Sequence, residues 1–261
     1  MAEYSSICYR NSFLNQVIVR LDFLQFIPTE TTFSDTVEKE ILKVFPRRGK
    51  DQIIRFNSIN VVLNQKNLGL PNANGETLEG IQREYFTNDG LNKLILSNKF
   101  IIFEIKKYSS YEEHKQWFQS ILFAVFQKSK VSANRTGIRY INMIQQPRVK
   151  LQKKFFATEI AASLNTKITA TVDKPCMIRS MHTTEYRIDE MTMIFRYGMF
   201  NPEYPNYMKK NDFVLDYDFF STDVIESADG VIRVLDRGHD EIQSLFEHSI
   251  TDSLREVMDN G

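Results

Sequence analysis

The segment from Ser110 to Val125 constrains the fold more than any other. Ser110 and Glu113 have the spacing of a capping box, in which a hydroxyl and a carboxylate satisfy the first free N–H groups of a helix. Trp117, Phe118, Ile121, Leu122 and Val125 follow at helical spacing, so one face of that helix is continuously apolar. Such a stripe must be buried, and the flanking segments say against what. Lys99 to Tyr108 and Arg135 to Ile144 both read as strands, which makes a β–helix–β unit whose helix, about 110–128, lies flat on a sheet.

More strands surround this unit. Gln16 to Phe26 alternates Val17, Val19, Leu21 and Phe23 with Ile18, Arg20 and Asp22, the period of a strand with one buried face. Ile53 to Leu63, Ile81 to Thr87 and Gly90 to Ser97 have strand character too. Between the first two, Asn64 to Gly80 reads as a loop, rich in Asn and Gly around Pro71. A short helix capped by Ser34 carries Val37, Ile41, Val44 and Phe45 and ends at Pro46.

Beyond Pro147 a basic stretch, Arg148 to Lys154, leads into a short helix at Phe155 to Leu164. Strands are expected at Lys167 to Val172, Cys176 to Met181, Tyr186 to Tyr197 and Phe213 to Phe220. A last helix, about 229–258, carries Ile242, Leu245, Phe246, Ile250, Leu254, Val257 and Met258 on one stripe.

The expected class is therefore α+β: long antiparallel sheet, pseudo-duplicated, packed by two long amphipathic helices. The chain reads as one domain over 1–261 with two similarly laid-out halves, 1–146 and 147–261. The one local echo between them is Arg20-Leu21-Asp22-Phe23 against Leu215-Asp216-Tyr217-Asp218-Phe219.

Charge and targeting signals narrow the function classes. The chain holds 33 basic and 33 acidic side chains, so it lacks the basic excess with which nucleic-acid binders neutralise phosphate. Cys8 and Cys176 are far apart, without CxxC spacing, and read as free thiols. No basic n-region with an apolar h-region opens the chain, and no apolar run approaches the ~20 residues of a membrane helix. The expectation is a soluble cytoplasmic protein with no membrane contact.

No phosphate-cradling glycine loop, nucleophile elbow or HExxH helix is present. His114, His182, His239 and His248 are too dispersed for ligand spacing, so neither a metal nor a cofactor is expected. The strongest local signal is Arg135-Thr136-Gly137-Ile138-Arg139-Tyr140-Ile141-Asn142. On a strand, Arg135, Gly137 and Arg139 share one face, and Thr136, Ile138, Tyr140 and Asn142 the other. An arginine in an apolar strand either meets an anionic group of a ligand or pairs with a neighbouring acid, for which Glu104 and Asp22 are candidates. Asp216 and Asp218 share a strand face as well. They could bind a cation or divide acid and base roles with His239, or form an ordinary solvated or arginine-paired face.

On the last helix, Asp236, His239, Asp240, Glu247 and His248 read as an ordinary polar face, and Arg148 to Lys154 as a solvated one. Tyr197, Tyr204 and Tyr207 with Phe200 surround a Pro-containing loop, either as an interface or as a lid on the sheet.

Lys107 to Glu113 leading into a helix, followed by Thr136-Gly137-Ile138-Arg139-Tyr140-Ile141-Asn142, resembles a sporadically distributed prokaryotic family of uncharacterised proteins of about this length, which carry a Gly-Leu-Arg-Tyr-x-Asn strand. Leu215 to Asp218 and Leu245 to Arg255 resemble the same family, with Ile138 where leucine is commoner. The resemblance implies one domain and supplies no catalytic residues; its patchy occurrence suits a phage-defence or toxin–antitoxin-like module. The leading expectation is an intracellular interaction or regulatory protein, with a protein partner or self-association, binding through Arg135, Arg139, Tyr140, Asn142, Tyr204 and Tyr207. The other two are nucleic-acid binding through Arg135, Arg139, Lys153 and Lys154, and a metal-dependent hydrolase built on Asp216, Asp218 and His239.

Overall fold

A computed structural model describes residues 9–57, 77–145, 153–163, 178–207, 209 and 212–260. Ten strands form one antiparallel sheet: β1 (Leu14–Phe23), β2 (Arg47–Arg48), β3 (Gln52–Asn57), β4 (Thr77–Phe86), β5 (Asn92–Ser97), β6 (Phe100–Ile105), β7 (Ala133–Ile144), β8 (Ser180–Ile188), β9 (Met191–Phe200) and β10 (Asp212–Ser221). The helices are α1 (Thr29–Thr32), α2 (Asp35–Val44), α3 (Tyr111–Ser129), α4 (Thr158–Ser163), α5 (Ala228–Ser249) and α6 (Asp252–Asn260). The fold is α+β, a long antiparallel sheet packed by helices.

The strands lie in the order β2-β4-β5-β6-β1-β7-β10-β9-β8, with β3 following β2 along the outer edge of β4. Read outward from the central β1–β7 pair, both sides have one plan. Leaving aside the edge strands β2 and β3, which have no counterpart among the described residues of the second half, a strand is followed by three more that return to its side and then by a long helix: β1, β4, β5, β6, α3 and β7, β8, β9, β10, α5. Both long helices open on a serine N-cap, Ser110 accepting from the Glu113 N–H and Ser227 from the Gly230 N–H. The repetition of element order divides the chain ahead of β7. In this plan β10 is the counterpart of β6, so the echo between Arg20–Phe23 and Leu215–Phe219 joins strands that are not equivalent.

One face of the sheet makes the core. Val17, Val19 and Leu21 of β1, Ile101 and Phe103 of β6, and Leu215, Tyr217 and Phe219 of β10 are buried together with Phe118, Ile121 and Leu122 of α3 and Val231, Leu235 and Phe246 of α5. Phe103 meets Phe118 edge-on at 4.9 Å between centroids. Each such ring contributes roughly 1.5–3 kcal/mol by leaving water. The helix α5 lies directly on β7 and β10 at Gly238, where an added Cβ would stand 2.5 Å from Ile138 Cγ2 and 2.8 Å from Phe219 Cδ1.

Several local expectations are corrected. The last helix is not continuous over 229–258. Ile250 is extended (φ −115°, ψ 164°) and bridges to Phe156, while the Thr251 N–H donates to the Phe155 carbonyl. Backbone pairing with the 155–157 segment thus outcompetes helix propagation through two β-branched residues. Tyr186 to Tyr197 is not one strand but the turn of a hairpin, since Asp189 takes the left-handed conformation (φ 53°) between β8 and β9. Thr77 to Gly80 belongs to β4 rather than a loop. Ser34 occupies the N-cap of α2, but its side chain makes no capping bond. Residues 64–76, 148–152 and 167–177, with Cys8 and Cys176, lie outside the described residues, so the strand at Lys167 to Val172 and most of the basic stretch have no structural account. No described helix is long and apolar enough to cross a membrane.

Candidate functional site

The alternation that buries Leu21, Ile138 and Tyr217 turns the intervening side chains to the other face. Ile18, Arg20 and Asp22 from β1, Arg135, Gly137 and Arg139 from β7, Asp216 and Asp218 from β10, and Arg196 from β9 gather there. The described helices lie on the opposite side. Those not resting on the sheet directly are tied to its core face through Phe45 against Phe103 and Trp117, and Phe156 against Phe213. Among the described residues no helix covers the charged face.

Arg139 holds Asp216 through two parallel bonds, Nε to Oδ1 at 2.7 Å and Nη2 to Oδ2 at 2.6 Å. Arg196 adds a longer contact to Asp216 at 3.4 Å. The acid that pairs with Arg139 therefore comes from β10, not from Glu104 or Asp22. Asp22 takes Arg20 at 2.7 Å, and Glu104 takes Lys93 of β5 at 3.4 Å. The bond from Arg139 to Asp216 raises the affinity of its guanidinium for its proton.

Asp218 is placed differently. The nearest cations are Arg135 Nη2 at 3.7 Å and Arg196 Nη2 at 3.9 Å, and no hydrogen bond reaches it among the described residues. Burial pushes its pKa up, against the pull of Arg135, Arg139 and Arg196. Arg135 reaches it by running past Gly137, with its guanidinium 4.6 Å from the centre of the Phe220 ring that stands beside that glycine. A side chain at 137 would meet Phe220 Cβ at 2.8 Å and the Phe219 carbonyl at 2.9 Å. The bare backbone there leaves a depression of about 440 Å³, bounded by Ile18, Arg20, Arg135, Arg139 and Asp218.

The remaining candidates are dispersed. Tyr140 and Asn142 point to the helix side and are buried. The Tyr140 hydroxyl contacts the Tyr108 hydroxyl at 3.1 Å and His239 Nδ1 at 3.0 Å. His239 stacks on Tyr111 at 4.1 Å, and the Tyr111 hydroxyl donates to Asp236, which also holds Lys115. His239 is thus on the far side of the sheet from Asp216 and Asp218, and the acid–base constellation proposed for a hydrolase is not assembled. Among the described residues no three His, Cys, Asp or Glu side chains come together as a metal site.

Tyr204 and Tyr207 stand out from the loop after β9, 50% and 72% exposed, with Arg179 over the Tyr204 ring, so neither closes down as a lid. Lys153 and Lys154 are in a turn packed against α4 and α6 and join no patch with Arg135 and Arg139. Glu247 is not a solvated polar residue: it is 2% exposed and accepts from Arg255 Nε at 2.9 Å and from the Tyr9 hydroxyl.

Sequence reasoning missed Arg196. Arg196 follows the core residue Phe195 in β9, and that alternation was the available signal. No model of a known protein family matches the sequence, and neither does any curated protein.

Proposed function

We propose that the chain is an intracellular interaction or regulatory protein whose working surface is the open face of its sheet. The observation that carries this reading is the set of paired charges on that face, Arg139 with Asp216 and Arg20 with Asp22, framed by Ile18 and Ile102. Protein interfaces favour arginine and leave few charges unpaired at their centre. A partner laid over this face would desolvate pairs that already neutralise each other, so no lone charge is stranded.

The other two readings draw less support. Nucleic acid would have to win Arg139 from a bidentate carboxylate before gaining a phosphate contact. A hydrolase would need a base beside Asp216 and Asp218, and His239 is across the sheet from them. On the family resemblance we infer a bacterial phage-defence or toxin–antitoxin-like setting, for which the neighbouring genes are the direct check.

Affinity purification of the tagged chain from its native host tests the main reading. A stoichiometric protein partner is expected with the wild type and should be lost with Arg20→Glu, a partly exposed position on the open face. A chain recovered alone and monomeric would overturn it.

A further inference from the structure

We propose that the depression over Gly137 is a binding site for the zwitterionic head of a free α-amino acid with an apolar side chain. This rests on the open face being the working surface, and adds a small-molecule ligand to it.

The first support is a long ion pair whose two side chains keep hydrogen-bonding capacity. Among the described residues the Arg135 side chain donates no hydrogen bond and the Asp218 carboxylate accepts none, and the two stand 3.7 Å apart on the wall of one depression. Arg139 spends Nε and Nη2 on Asp216, and its Nη1 makes no hydrogen bond among the described residues. The wall therefore offers guanidinium donors next to a carboxylate acceptor. A ligand that satisfies both carries an acceptor and a donor only a few ångströms apart, and opposite charges on the two match the guanidinium and the carboxylate best. An α-carboxylate beside an α-ammonium is the smallest group that does so, and both contacts would be charge-assisted.

The second support is charge balance. Arg20, Arg135 and Arg139 line the depression with Asp22, Glu104 and Asp218, three cations and three anions. A simple carboxylate, phosphate or amine would upset this balance, whereas a zwitterion adds no net charge to it. The third support is size and lining. About 440 Å³ is at the lower end of small-ligand pockets, and Ile18 and Ile102 form an apolar wall on the side away from Asp218. An apolar side chain would rest there while the head group meets Arg135 and Asp218. Gly137 keeps the floor open, because any side chain at that position would project into the space the ligand needs.

Isothermal titration calorimetry on the purified full chain tests this, with each of the common amino acids, and with leucine's two truncated analogues, isopentylamine and 4-methylpentanoate. At least one branched apolar amino acid is expected to bind, and both analogues to bind at least about tenfold more weakly, each having lost one charge-assisted contact. Asp218→Asn and Arg135→Gln should each weaken binding by a similar factor while circular dichroism and thermal unfolding report a folded chain. Absence of heat with every amino acid at millimolar concentration would overturn the proposal, as would an analogue that binds as tightly as the amino acid. So would binding that survives both substitutions in folded protein. The outcome is separable from the interaction reading, because partner recovery by affinity purification does not depend on it.

Discussion

Arg139 and Asp216 meet across β7 and β10 through two bonds of 2.7 and 2.6 Å, although 77 positions separate them in the chain. The pair is unequal. The Asp216 side chain is 7% exposed and that of Arg139 36% exposed, so the carboxylate is the partner that water cannot rescue.

Arg139→Met should therefore destabilise the protein more than a surface pair would. Removing one partner of a fully buried pair costs about 3–5 kcal/mol, and the exposure of Arg139 and the nearby Arg196 bring the expected loss to roughly 2–3 kcal/mol. The double variant Arg139→Met, Asp216→Leu should regain most of it, since no charge is then stranded. Urea unfolding of the two variants checks this, and a double variant no better than the single would contradict the account.

Glu247 offers a second test, on the joint between α5 and α6. Arg255 donates to its carboxylate and to its carbonyl, and so fastens α6 across the break at Ile250. Among the described residues Arg255→Ala leaves the Glu247 carboxylate with Tyr9 and Gln243. The expected cost is about 1–3 kcal/mol, that of a weakly satisfied buried acceptor. Hydrogen exchange should quicken over 252–260 before it does in β7 or β10.

The acid side of the stability profile should carry the mark of His114. Burial lowers its pKa below the ordinary 6.5, while its ring packs on Tyr108. Well above pH 6.5 both folded and unfolded chains hold it neutral, and it makes no difference to stability. As the pH falls below 6.5 the unfolded chain takes up the proton first, so stability declines until the folded pKa is passed. In His114→Phe this share of the decline should vanish. Unfolding midpoints at pH 7.5 and 5.5, compared between wild type and variant, measure it; equal declines would refute it.

What was legible from sequence follows the range of the interactions involved. Ser110, Glu113 and the stripe from Trp117 to Val125 act within a few turns of one helix, and α3 forms where they predict it. The two faces of β7 are equally local, which is why Arg139 and Tyr140 were correctly assigned to opposite sides. The partner of Arg139 depended on which strand lies beside β7 and in what register. That is settled by packing α5 over both strands, and no short-range pattern in β7 contains it. The break at Ile250 was hidden for the same reason: the apolar stripe continues through it, and the competing backbone partner is a segment some ninety residues earlier, at Phe155 and Phe156.

Gly238→Ala sets local propensity against packing. In the interior of a helix alanine is favoured over glycine by roughly 0.8–1 kcal/mol, so a helix considered alone would gain. Here the new methyl would stand 2.5 Å from Ile138 Cγ2 and 2.8 Å from Phe219 Cδ1, and both neighbours are buried. Ile138 is β-branched and stiff at χ1, so it cannot swing aside, and overpacking a tight core costs typically 1–3 kcal/mol. With α5 bound to two central strands at this point, packing should win, for a net loss of roughly 1 kcal/mol and a lower Tm. Adding Ile138→Ala removes the obstructing methyl, so Gly238→Ala should then cost less than it does in the wild-type background. A thermal unfolding cycle over the four proteins measures that coupling, and a Gly238→Ala protein as stable as the wild type would show that α5 does not lie as close to the sheet as described.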